Sequence, residues 1–168
     1  MTNSTKSDRY MAVVIAAGVV CIAVALALAE WENANIYLFL MAAFTVGIGS
    51  RMTIQIPRFK SHVSVSDTLI FVTLLLYGGG FAIMLAAIEA SVSSWKFCNR
   101  KVTVFFNAAT MALSTAGVVL ALDSLRFAFG TPNVYGYTDD LQTFVIALSV
   151  VALTQFLFNT TLAAVHGS

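Results

Sequence analysis

Hydrophobic positions in this chain come in long unbroken runs. Residues 10–29, 102–122 and 141–165 contain no Asp, Glu, Lys or Arg. A helix rises about 1.5 Å per residue, so about 20 residues cross a hydrocarbon core of about 30 Å. Each run is long enough, and the pattern predicts membrane-spanning helices over 10–29, 102–122 and 141–164. A shorter apolar run predicts a further helix over 36–49.

The stretch that follows has a different period. Met52, Ile54 and Ile56 alternate with Thr53 and Gln55, and Val63 and Val65 alternate with His62, Ser64 and Ser66, on either side of Pro57. Alternation around a Pro-containing turn predicts a short extended or hairpin segment at the interface; two short amphipathic helices are the alternative. Extended backbone at membrane depth is tolerated only where protein or water covers it.

Residues 68–95 hold Gly78-Gly79-Gly80 near their middle. As one helix they would rise about 42 Å, too long without strong tilt. Two helices reversing at the glycines, over about 66–77 and 81–95, place the basic residues before and after them on the same side. The excess of Lys and Arg on cytoplasmic loops favours this reading. Consecutive glycines also permit the positive φ of a tight reversal.

Charge then orients the bundle. With six spans, Lys6, Arg9, Arg51, Arg58, Lys60, Lys96, Arg100 and Lys101 fall on one side. Glu30, Glu32, Asp123, Asp139 and Asp140 fall on the other, where Arg126 is the only basic residue. Both termini are expected to be cytoplasmic. Hydrophobic residues make up 59% of the chain and charged residues 10%, against roughly a quarter charged in soluble domains. A single membrane domain, residues 1–168, accounts for the whole length. Ala27-Leu28-Ala29 has the small-residue form of a signal-peptidase site, but the run before it exceeds a usual h-region, which favours a retained helix. Gly167-Ser168 has the form of a cloning scar, which would leave the natural chain continuing past Val165.

Catalytic motifs are lacking, and an enzyme is not expected. The glycine triplet has no following Lys and lies between apolar runs, so it is not a phosphate loop. Cys21 and Cys98 differ too much in setting to read as a disulfide or metal pair. His62 and His166 read as surface histidines, and Met41, Met84 and Met111 as packing. No cofactor, metal or nucleic-acid partner is expected.

The central pattern carries a resemblance. A basic extended segment leads into Ser64-Val65-Ser66-Asp67-Thr68, an apolar helix, the turn Tyr77-Gly78-Gly79 and a small-residue helix over 82–90; after a basic cluster come Phe106-Asn107-Ala108 and Ala112-Leu113-Ser114. This resembles the six-helix membrane sensory domains at the N-termini of bacterial cyclic-di-nucleotide signalling proteins. It is similar, more loosely, to the S components of energy-coupling factor vitamin transporters, with Gly79-Gly80 where those have a Gly-Pro-like turn. The resemblance covers roughly residues 51–114. It implies an all-α integral membrane protein of six transmembrane helices, an S-component-like bundle with the extended segment before helix three. It further implies one of two functions. The first is a sensory or ligand-binding module that relays a signal through the last helix to a cytoplasmic output domain. The second is a substrate-capture subunit for a vitamin-like solute.

Polar residues inside the spans are the candidate sites. Glu89, Asn107 and Asn159 each lie six or seven residues from a Lys or His at the cytoplasmic boundary, about 9–10 Å inside it. Gln155 lies one turn deeper than Asn159, and Thr103, Asn107, Thr110 and Ser114 form a stripe on helix five. The amides read equally as interhelical glue or as function. Asp67 reads as a cap at the start of helix three, or as a ligand contact. Glu89 is the more telling, because a lone carboxylate costs about 2.5–3.5 kcal/mol in hydrocarbon and so faces the bundle with a partner. Asn107, Asn159 and Gln155 are its expected partners. On the other side, Trp31 and the aromatic loop over 126–137, with Tyr135 and Tyr137, form either an interfacial belt or a lid over an outward cavity. The expected occupant is a small apolar or vitamin-like ligand. Ala12/Ala16 and Ala23/Ala27 on helix one would allow close packing, including against a second copy or a transporter partner.

Overall fold

The computed structural model describes residues 2–49, 65–97, 100–129, 149–150, 152–157 and 161. The expected extended segment over 51–64, most of the loop over 126–137 with Tyr135 and Tyr137, Asn159 and much of the sixth span lie outside them. Among the described residues all regular structure is helical. The elements are α1 (Thr2–Leu28), a single 3₁₀ turn (Trp31–Asn33), α2 (Ile36–Gly49), α3 (Val65–Tyr77), α4 (Gly79–Phe97) and α5 (Lys101–Phe129). A last helical segment includes residues 152–157. Two helices are long and apolar enough to cross a membrane, Arg9–Leu28 and Lys101–Ser124.

The reversal at the glycines is present. Gly78 has φ +89°, and α4 begins at the next residue. Its amide closes α3 by donating to the Leu74 carbonyl at 3.1 Å, and its own carbonyl accepts from Ala82 at 3.3 Å. A left-handed glycine after the last helical residue is the common way to end a helix. From this turn α3 and α4 run antiparallel, and Ile70 and Leu74 pack with Ala82, Leu85 and Ala86 in one core cluster, completed by Val118 and Leu122 of α5.

α4 is the hub, in contact with α1, α2, α3 and α5. Its sequence explains why. Gly79, Gly80, Ala82, Ala86, Ala87 and Ala90 leave room for neighbours on every side, and from 81 to 90 only Ile88 is exposed. A Cβ at Gly80 would come within 2.9 Å of the Ala25 carbonyl oxygen, and one at Gly79 within 2.8 Å of Val119. α1 instead packs through one stripe. Val14 and Ala25 are buried, with Cys21 and Ile22 beside them, whereas Ala12, Ala16, Ala23 and Ala27 face outward. The small-residue pairs of helix one therefore face away from the other helices of this chain, where a second copy or a transporter partner would meet them. Val13, Val19, Val20 and Val24 share that exposed face.

The contacts between helices fix two ends. At one end the Trp31 ring stands edge-on to Phe81 at 5.4 Å, and Tyr77 donates its hydroxyl hydrogen to Asn35 Oδ1 at 3.1 Å. Glu30 and Glu32 flank Trp31 here, and α5 reaches the same end with Asp123. At the other end Tyr10 packs on Phe106, and Arg9, Arg100 and Lys101 are exposed close by. Among the described residues, Glu30, Glu32 and Asp123 thus lie at one end of the bundle and Arg9, Arg100 and Lys101 at the other.

Candidate functional site

Glu89 lies on the hub helix and is 6% exposed. The antiparallel register of α3 and α4 brings it opposite the first turn of α3, where the Ser66 hydroxyl donates to its carboxyl group. Ser66 is itself fully buried. The first amides of a helix have no intrahelical acceptor, and its N-terminal end carries partial positive charge. A carboxyl group set against this end is favourably placed. Asp67 occupies the same first turn and acts electrostatically on Glu89. Two carboxyl groups therefore gather at the start of one helix.

Asn107 has a different partner from the one expected. Its amide nitrogen donates to Ser94 Oγ at 2.8 Å, tying the basic end of α5 to α4. The helical rise sets the depth of Glu89 and Asn107 but not their rotation about their helices. Asn107 faces α4 near its end, whereas Glu89 faces α3. Gln155 is buried, and its amide has no hydrogen-bond partner among the described residues. Asn159 lies outside them. Of the expected polar group, Glu89 and Asp67 come together; Asn107 joins Ser94 instead.

Two members of this region do not stand out in the sequence. Ser66 reads there only as part of a cap, although the register implied by a Gly78 turn already sets it opposite Glu89. Thr115 falls outside the polar stripe of helix five. It is fully buried, and with Thr110 and Ser114 it gives α5 three buried hydroxyls. The register between α4 and α5 is set by Ser94 with Asn107 at one end and Gly79 with Val119 at the other. It places Thr110 level with Ala90, beside Glu89 in depth.

Trp31 is half exposed at the acidic end; its indole nitrogen donates to the Leu26 carbonyl at 3.2 Å. It covers the start of α4 through Phe81. Phe127 is almost fully exposed. Among the described residues no three His, Cys, Asp or Glu side chains converge as metal ligands. Comparison with protein-family models, curated proteins and solved structures returned no match.

Proposed function

We propose that this chain is a multi-pass domain of the bacterial inner membrane, with both termini cytoplasmic. It binds a small ligand or membrane component and relays its state through the last helix to a cytoplasmic output domain. The separation of Arg9, Arg100 and Lys101 from Glu30, Glu32 and Asp123 supports the orientation, since basic residues concentrate on the cytoplasmic side. The outward apolar faces of α1 and α2, including Val19, Val20, Phe39 and Phe44, support contact with lipid.

The observation that carries the functional reading is the junction of Glu89 with Ser66. A carboxyl group inside an apolar bundle is costly, and such groups are usually retained for function. This one sits on the helix that touches four others, at the start of a neighbouring helix. A small displacement of α3 along α4 would break its hydrogen bond and move it away from the helix terminus. That makes the junction a two-state element on which ligand binding can act.

The test is a chimera that joins the chain to a diguanylate cyclase domain lacking its own sensor. Glu89→Gln is expected to change basal cyclic-di-nucleotide output by about fivefold or more, the lower range of ordinary allosteric coupling. Unchanged output from a normally inserted protein would remove the sensory reading. Substrate capture for transport is the second reading, favoured by the grouping of Trp31, Phe81 and Tyr77 at the acidic end. Stable co-purification with energy-coupling transporter subunits would support it.

A further inference from the structure

Among the described residues, the hydroxyls of Thr45, Thr73, Ser91 and Ser124 find acceptors on their own helices. Thr45 donates to the Met41 carbonyl at 2.7 Å, Thr73 to Leu69 at 2.9 Å, Ser91 to Ala87 at 2.7 Å and Ser124 to Leu120 at 2.7 Å. Three on α5 do not. Thr110 Oγ1, Ser114 Oγ and Thr115 Oγ1 are buried with no hydrogen-bond partner among the described residues. The same is true of both polar atoms of the Gln155 amide. Thr110, Ser114 and Gln155 are 6%, 0% and 8% exposed. Buried polar atoms are nearly always paired, and unpaired ones call for an explanation.

For Thr110, Ser114 and Gln155 their placement supplies one; Thr115 lies on another face of α5. Thr110, Ser114 and Gly117 recur at helical spacing on one face of α5. The apolar clusters use other faces of α5: Met111, Val118 and Leu122 pack with α3 and α4, and Ala109 and Leu113 pack with α1. The hydroxyl face is nevertheless buried. On the last helical segment Leu153, Phe156 and Leu157 are exposed, and Gln155 is buried between them. Among the described residues of that segment Gln155 is the buried one, with Val150 and Thr154 half-buried.

We propose that Gln155 covers the Thr110 and Ser114 face of α5, and that the amide and hydroxyls together bind a small neutral solute bearing hydroxyl or amide groups. The chemistry fits that class. Hydroxyls and amides both donate and accept, and neither carries charge. Glu89, at the same depth, is engaged with Ser66 on the α3 side of α4. This inference deepens the ligand-binding reading above and names the ligand class.

Thiol labelling of the full chain tests it, in a Cys21→Ser, Cys98→Ser background. A cysteine reacts as thiolate, which needs polar, accessible surroundings. Ser114→Cys is compared with Ala86→Cys, which lies fully buried in the apolar cluster. The neutral reagent methyl methanethiosulfonate is expected to label Ser114→Cys at least about tenfold faster than Ala86→Cys, as thiolate character and access dictate. Glycerol and acetamide should slow that labelling relative to a free thiol in solution, and sodium acetate should not. Thr110→Cys should behave like Ser114→Cys, which guards against one poorly folded variant. If both cysteines are as inert as Ala86→Cys, or if acetate protects as well as acetamide, the proposal is overturned. Labelling does not depend on Glu89 or on any output domain, so failure of the relay reading leaves this result intact, and the reverse holds.

Discussion

Gly18 of α1 rests directly on Ala109 of α5. A Cβ at Gly18 would come 2.6 Å from the Ala109 Cα and closer still to its methyl group. Backbone stands in the way, so the helices would have to separate. Gly18→Ala is expected to cost about 1–3 kcal/mol, the usual range for overpacking. For a chain of this size that lowers the melting temperature in detergent by roughly 2–4 °C per kcal/mol. Ala109→Gly should recover only part of the loss, because the backbone of residue 109 still stands against the new methyl group. Wild-type stability for Gly18→Ala would mean that α1 does not cross α5 here.

Gly78 presents the opposite case. Space around it is open, with nothing within 4 Å of where a Cβ would stand, but its φ is +89°. The cost of Gly78→Ala is therefore conformational, about 1–2 kcal/mol for a side chain held in the left-handed region. Gly78→Asn should be milder than Gly78→Val, since Asn visits this region more readily. Equal melting temperatures for all three variants would contradict the reversal at this residue.

The Asn107 and Ser94 hydrogen bond ties α4 to α5 at the basic end. Either Asn107→Ala or Ser94→Ala should cost about 0.5–1.5 kcal/mol, the net value of an ordinary hydrogen bond. The double variant should cost little more than the dearer single change, because the two partners share one bond. Additive losses would show that each side chain works elsewhere.

Reporter fusions address orientation. Fusions before Thr2 and after Ser168 should report a cytoplasmic location, and an insertion after Gly79 should report the outer side. A reporter after Ser168 that reads as extracytoplasmic would exclude six spans with both termini inside.

The apolar runs and the glycine triplet were enough to place α1 to α5 and the reversal between α3 and α4. Helix ends were less legible. α1 begins at Thr2 rather than Tyr10, because the polar residues before the apolar run include neither Gly nor Pro and helix formation simply continues. α5 likewise passes Asp123 and runs to Phe129, just before Gly130 and close to Pro132. Charge marks the end of an apolar stretch, while backbone chemistry marks the end of a helix. At the candidate site the inward position of Glu89 followed from its cost in hydrocarbon, but the pairing with Ser66 did not. Spacing gives depth along a helix and leaves rotation to packing, so Asn107 turned to Ser94 and Ser66 took the place opposite Glu89.

The central claim is that Glu89 and Ser66 act as one element whose state sets output. A double-mutant cycle in the cyclase chimera measures this directly. Basal output is compared for the parent, Ser66→Ala, Glu89→Gln and the double variant, each first matched for membrane insertion. Both single variants are expected to shift output in the same direction, and the double variant to match Glu89→Gln, since Ser66 then has no carboxylate to hold. Output unchanged in both single variants, or effects that simply multiply in the double variant, would contradict the account.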